Sequence, residues 1–214
     1  IGIHAFDGCI GVNEDNGNQG LVINSGVVTI GEYAFNDMYK VKNLTVPNSV
    51  DYIGSTAFGG FSNLVNLHIP FVGQQRGTKE CKESLFGYVF GTDVYSNGNC
   101  YETRQRITPN QSSTTISYYL PRGLEVVYIT DECEVSFAAF NNCVSIKHIY
   151  LPVNNKNGSI KDSTKINDYA FSGCTYLKIL QFLIMLKKLD HMPLKIALAF
   201  KELHLHLILM EKRH

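Results

Sequence analysis

Few residues in this 214-residue chain are of a type that could do chemistry, and most are spaced wrongly for it. His204 and His206 lie two apart, which on a strand puts both rings on one face, where they could chelate a metal weakly. No third ligand is evident nearby, and a structural zinc site needs four, so no metal is expected. Asp131, Glu132 and Glu134 gather three carboxylates. They are expected to solvate a loop rather than to work as acid and base, and a calcium site would need several more converging oxygens. The six cysteines, Cys9, Cys81, Cys100, Cys133, Cys143 and Cys174, fit no CxxC or zinc spacing. There is no GxSxG, no HExxH and no phosphate-binding glycine loop in a suitable context. No catalytic residue is therefore assigned, no cofactor is expected, and the chain reads as non-enzymatic.

Composition narrows the class further. Nineteen Lys+Arg offset 19 Asp+Glu, so there is no net field to attract nucleic acid or an anionic membrane. An apolar share of 44% is too high for a disordered chain. The apolar run from Ile179 to Leu186 is far short of the ~20 residues that a membrane-spanning helix needs, so no membrane insertion is expected. The chain opens on Ile1 rather than Met and reads as a fragment or a processed product.

The elements that position any site come from a repeat. Ile30-Gly31-Glu32-Tyr33-Ala34-Phe35 recurs 23 residues later as Ile53-Gly54-Ser55-Thr56-Ala57-Phe58. It returns as Ile166-Asn167-Asp168-Tyr169-Ala170-Phe171, opens the chain as Ile1-Gly2-Ile3-His4-Ala5-Phe6, and has a looser copy at Val135–Phe140. Downstream of each Ala-Phe comes a second block: Leu44/Val46, Leu67/Ile69, Ile149/Leu151 and Leu180/Phe182 alternate with polar residues. Period-2 alternation makes each block a short strand with one buried face. Pro47, Pro70 and Pro152 follow the strands and end the ladder, since proline has no N–H to donate. Ala-Phe falls on a corner, a turn or a short 3₁₀ or helical segment, with the Phe filling the axis. One such unit cannot bury its own apolar face; stacked units share a core.

Stacking also aligns the polar side of each strand. The outward pairs are Asn43/Thr45, Asn66/His68, Val126/Tyr128, His148/Tyr150 and Ile179/Gln181. Asn43, Thr45, Asn66, His68, Tyr128, His148 and Tyr150 are the candidate ligand-binding residues. Tyrosine can stack on a sugar or a peptide while its hydroxyl hydrogen-bonds; the bland alternative is that they are ordinary solvent-facing strand residues. Cys9, Cys143 and Cys174 share a position with Met38 and Phe61, which argues for an apolar packing site. A bridge between stacked Cys143 and Cys174 is geometrically conceivable, as is a Cys81–Cys100 loop staple.

The pattern IGxxAFxxCxxLxxLxIPxSV, over roughly 1–70 and 124–182, resembles the BspA-like leucine-rich repeats of bacterial surface proteins and some protist ones. The resemblance implies a repeat solenoid of leucine-rich-repeat type, with short parallel strands on one face and corner turns on the other. It implies a secreted or cell-surface location, and adhesion to host or cell-surface protein or glycan without catalysis. The alternatives are a spacer within a longer surface protein and a carbohydrate-binding accessory module.

Two regions depart from the pattern. Residues 71–134 read as one expanded repeat, with Leu85–Gly91 as a degenerate corner and a polar excursion at about 92–117. Smaller loops are expected at Val12–Gly20 and Lys156–Ser163. The solenoid should end at 182. Residues 183–214 contain no Gly, Asn or Tyr but three of the four Met and four of the seven His. This non-repeat tail, irregular or helical, carries six basic against three acidic residues, while 1–182 carry 13 against 16. A permitted codon choice for 182–200, with one base inserted after the first triplet, restores Pro, Val, Ile-Gly, Tyr-Ala-Phe and Cys in register with the repeat. The tail therefore reads as an out-of-frame translation of the next repeat; a purpose-made helical cap is the alternative.

Overall fold

The computed structural model describes residues 1–10, 20–109, 114–132, 134–152 and 165–181. The loop expected at 12–20, the one expected at 156–163, the tail at 183–214 and Cys133 lie outside them, all but Gly20.

Among the described residues six short strands form one parallel sheet: β1 (Gly20–Val22), β3 (Asn43–Thr45), β5 (Asn66–Ile69), β8 (Val126–Ile129), β10 (His148–Tyr150) and β12 (Ile179–Gln181), neighbours in that order. Their register follows the repeat position by position. Leu21, Leu44, Leu67, Val127, Ile149 and Leu180 are paired across the sheet. Leu44, Leu67, Val127 and Ile149 are fully buried, while their strand neighbours are only half-buried, so one face is core and the other is outside. A slip of one residue would exchange the faces, and this pins the register. The opposite side of each coil carries two shorter parallel pairs, β2 (Thr29–Ile30) with β4 (Tyr52–Ile53), and β9 (Glu134–Val135) with β11 (Lys165–Ile166). The result is a parallel repeat solenoid.

The Ala-Phe corners are turns, not helices, and they hold the stack together. Numbering each block from its Ile or Val, the fourth residue has a left-handed backbone: His4, Tyr33, Thr56, Ala138 and Tyr169. So does the eighth: Gly8, Asp37, Gly60, Asn142 and Gly173. The alternation aims the N–H groups of the fourth, sixth and eighth residues at the next coil. Tyr33, Phe35 and Asp37 donate to the carbonyls of Ser55, Ala57 and Gly59, and Ala138, Phe140 and Asn142 donate to Asp168, Ala170 and Ser172. Each non-glycine residue in this conformation costs about 1 kcal/mol, and the ladder of inter-coil bonds offsets it. The eighth position carries only Gly, Asp or Asn, the residues that tolerate it best.

Inside the corners the Phe rings stack along the axis: Phe6 on Phe35 at 5.2 Å, Phe35 on Phe58 at 6.0 Å, and Phe140 on Phe171 at 5.5 Å. Ala34, Ala57 and Ala139 are fully buried beside them. Corner layers are so close that a Cβ on Gly54 would lie 2.4 Å from the backbone nitrogen of Glu32.

The expanded coil keeps a degenerate corner as two 3₁₀ turns, Lys82–Ser84 and Phe86–Val89. Phe86 N–H donates to Ala139, and Phe58 N–H donates to Val89, so this corner bridges the repeats on either side. The polar excursion is no loose loop. It is an antiparallel hairpin, β6 (Cys100–Arg106) and β7 (Thr115–Pro121), laid against the corners. Thr103, Gln105, Tyr118 and Leu120 are buried under it. The sequence marks the stretch as a polar excursion; in the fold, Thr103 and Gln105 hydrogen-bond the backbone of the corners at Ala139–Asn142 and Gly87.

Candidate functional site on the strand face

The outer face of the sheet brings together the side chains that the sequence placed there. His68, Tyr128 and Tyr150 share one register position on β5, β8 and β10. Their rings form a stack: His68 on Tyr128 at 4.1 Å and 11°, Tyr128 on Tyr150 at 4.5 Å and 9°. Parallel strands lie about 4.8 Å apart, which is near the thickness of an aromatic ring, so in-register rings stack face to face. Thr45 precedes them in the same row on β3. In the adjacent row Asn66 donates through Nδ2 to Asn43 Oδ1 at 2.7 Å, a side-chain ladder between coils. His148 stands on that row and reaches Tyr150 along the strand at 6.4 Å between ring centres, with its Nδ1 buried and without a partner among the described residues. The side chains of Ile179 and Gln181 are outside the described set. Burial holds the His68 imidazole below its usual range, favouring the neutral ring.

This geometry changes what the face can do. Both faces of Tyr128 are covered by its neighbours, so a sugar ring cannot stack there. What points outward are ring edges and hydroxyls, in a row of half-buried groups. Such a row suits hydrogen bonding to carbonyls, amides or hydroxyls on an extended surface.

Beside it the sequence missed a groove of about 290 Å3. Tyr101 and Arg122, from the hairpin and its exit, face Glu125 and Lys147, which immediately precede β8 and β10. Lys147 pairs with Glu125 at 2.5 Å, Arg122 donates to Cys100 O at 2.7 Å, and Ser145 donates to the Tyr101 hydroxyl at 3.2 Å. Nothing in the repeat pattern marks these residues, because the hairpin that walls the groove is an insertion.

The carboxylate trio is dispersed over three tasks, which corrects the expectation that it solvates a loop. Glu132 is buried and accepts from Val72 N–H at 2.9 Å and Gly77 N–H at 3.0 Å, tying down the segment after β5. Desolvation pushes its carboxyl up, and the two backbone donors oppose that. Asp131 binds Arg76, which also reaches Asp51 and the carbonyls of Asn48 and Val50. Glu134 accepts from Asn167, Lys79 and Lys165, and these bonds pull its carboxyl down to about 2.

Cys81, Cys100, Cys143 and Cys174 carry free thiols, so neither of the conceivable bridges is present. Cys143 and Cys174 are buried at the packing position they share with Met38 and Phe61, and Cys174 donates to Phe140 O at 3.0 Å. Burial pushes both thiols up, Cys174 to about 12, so neither is a reactive thiolate. Cys9, at the same position of the first copy, is exposed. His204 and His206 lie outside the described residues. Among the described residues no three His, Cys, Asp or Glu side chains converge as metal ligands, and no helix is long and apolar enough to cross a membrane.

In-register parallel strands, corner turns and a shared axial core define a leucine-rich-repeat solenoid. The family model for the BspA-type leucine-rich repeat region matches in six copies over residues 1–88 and 134–204, and the chain belongs to that family. The gap between the two matched stretches holds the hairpin, and the second stretch runs past the point where the repeat pattern breaks in the sequence. None of the curated proteins or solved structures compared with the chain matches it. Repeats of this type are surface modules and in general non-catalytic.

Proposed function

We propose that this chain is a non-catalytic recognition module, working outside the cell or at its surface, that holds a protein or glycan ligand against the outer face of the six-stranded sheet. The observation that carries the reading is the His68–Tyr128–Tyr150 stack. Three rings ordered by their neighbours present their polar edges with little freedom left to lose, and this preorganisation is what lets a surface bind. Asn43, Asn66, Thr45 and His148 extend the polar surface around the stack. The adhesion and the extracellular setting rest on family membership, which is an argument by analogy.

The test is adhesion of the purified chain to arrayed extracellular-matrix proteins and glycans. Substituting His68, Tyr128 and Tyr150 together by Ala should abolish the binding, with the far-ultraviolet circular dichroism of the sheet retained. A spacer would be indifferent to the triple substitution, and that outcome would replace recognition by a purely structural role.

A further inference from the structure

The groove beside the strand face offers a chemistry that the stacked rings lack. Tyr176 lines it and is 64% exposed. Among the described residues no aromatic ring stacks on it, whereas Tyr128 is covered on both faces. An open tyrosine ring is a surface on which the C–H face of a sugar can lie. Arg122 lines the same groove and is exposed. One bond, from Nη2 to Cys100 O at 2.7 Å, fastens it to the start of β6. Among the described residues it pairs with no carboxylate. Lys178 follows Lys147 one coil on, its N–H donating to Lys147 O, and its exposed side chain pairs with no described carboxylate either. Arg122, Lys147 and Lys178 thus set three positive charges against the one carboxylate of Glu125, in a body that is otherwise mildly acidic.

The remaining polar groups of the groove are of both kinds. Lys147 donates, Glu125 accepts, and their side chains are 37% and 42% exposed although they pair with each other. The Ser145 hydroxyl donates to Tyr101 and keeps its lone pairs for a ligand. A densely anionic partner, such as an acidic peptide or a sulfated chain, would be repelled by Glu125. Sugar hydroxyls both donate and accept, so they can use Glu125 as well as Ser145. At about 290 Å3 the groove is near the lower end of small-ligand sites, which suits a single sugar residue of a chain.

We propose that this groove binds a carboxylate-bearing sugar, a hexuronic acid residue of a glycan. The sugar ring lies on Tyr176, and its carboxylate meets the guanidinium fork of Arg122, whose geometry matches a carboxylate. Its hydroxyls reach Glu125 and Ser145. The proposal goes beyond the strand-face reading and holds or fails separately from it, because no groove residue belongs to the His68–Tyr128–Tyr150 stack.

The test is a titration of the 15N-labelled full chain, at low salt, with methyl glucuronide. Neutral methyl glucoside and N-acetyl-glutamate methylamide, which has the carboxylate but no sugar ring, are parallel arms. The amides of Ser145 and Tyr176 should shift and saturate with the glucuronide, about tenfold more tightly than with either other compound. R122Q should bring the glucuronide down to the affinity of the glucoside. Y176A should weaken both sugars about tenfold, and Y176F should restore them. Both side chains are exposed, so the rest of the spectrum should be kept. Y128F, which keeps the ring stack, should bind the glucuronide as the parent does; a loss there would move the sugar to the strand face and overturn the groove. Equal affinity for the glucoside, equal or tighter binding of the glutamate compound, parent-like binding in R122Q or Y176A, or no saturable response would also overturn the proposal. Those outcomes would leave the strand-face reading to its own adhesion assay.

Discussion

Tyr128 has a neighbour on each face of its ring, and that makes its stability role separable from its recognition role. Removing the ring in Tyr128→Ala should lose two stacked contacts and cost about 1–3 kcal/mol, read from the urea midpoint. Tyr128→Phe keeps the stack and removes only the outward hydroxyl. Its midpoint should stay within about 0.5 kcal/mol of the parent, while adhesion falls. Glu134 makes a prediction in pH. Its three donors, Asn167 first, lower its carboxyl from an ordinary 4.5 to about 2. A depressed carboxyl contributes stability that is complete above 4.5 and is lost as the pH falls towards 2. Glu132 works the other way, because burial holds its carboxyl up and protonation relieves that cost. The acid limb of the stability curve should therefore flatten in Glu134→Gln, measured by thermal melts from pH 6 to pH 2. A parent-like acid limb in that variant would show that the lysine and asparagine contacts do not hold the charge.

At the scale of elements, the hairpin is fastened through one amide. Gln105 is fully buried on β6; its Oε1 accepts from Gly87 N–H at 2.9 Å, and its Nε2 donates to Ala139 O at 2.9 Å. It thereby joins the expanded coil to the following repeat. Thr103 adds a bond to Asn142 O at 3.0 Å, and Asn142 returns one to Arg104 O. Gln105→Leu conserves volume but leaves the buried Gly87 N–H unpaired, while Ala139 O keeps its bond from Phe86 N–H. It should cost about 1–3 kcal/mol, with faster hydrogen exchange at Gly87 as the local signature. The register of the sheet was legible in the sequence, because Leu44, Leu67 and Ile149 recur at one position and are buried for one reason. The hairpin was not, because its buried residues are Thr, Gln and Tyr. Their partners are corner carbonyls and N–H groups that no linear pattern reveals.

At the scale of the molecule, the solenoid is a stack in which each coil bonds mainly to its neighbours, and the expanded coil is the exception. Arg76 and Glu132 tie the long segment after β5 to turns on both sides, and the hairpin spans the next corner. The balanced charge of the whole chain hides a mildly acidic body and a basic final segment. The frame reading of 183–200 predicts that the gene, sequenced across those codons, encodes Pro, Ile-Gly, Tyr-Ala-Phe and Cys in the shifted frame. Codons that do not encode that repeat would dispose of the frame reading.

The sequence by itself determined the repeat, the strand blocks, the buried and outward rows, and hence the family, because a parallel stack copies linear position into space. That is why Asn43 and Asn66, or His68 and Tyr128, could be paired from their offsets alone. Tertiary structure decided the rest. It turned ring faces inward along the stack, so that hydroxyls and edges are what a ligand meets. It folded the insertion into a hairpin that walls a groove, and it brought Asp37 and Asp93, 56 positions apart, to the lining of one cavity. Those arrangements depend on left-handed corners and on an insertion outside the repeat. Both are set by packing between coils rather than by the periodicity within them.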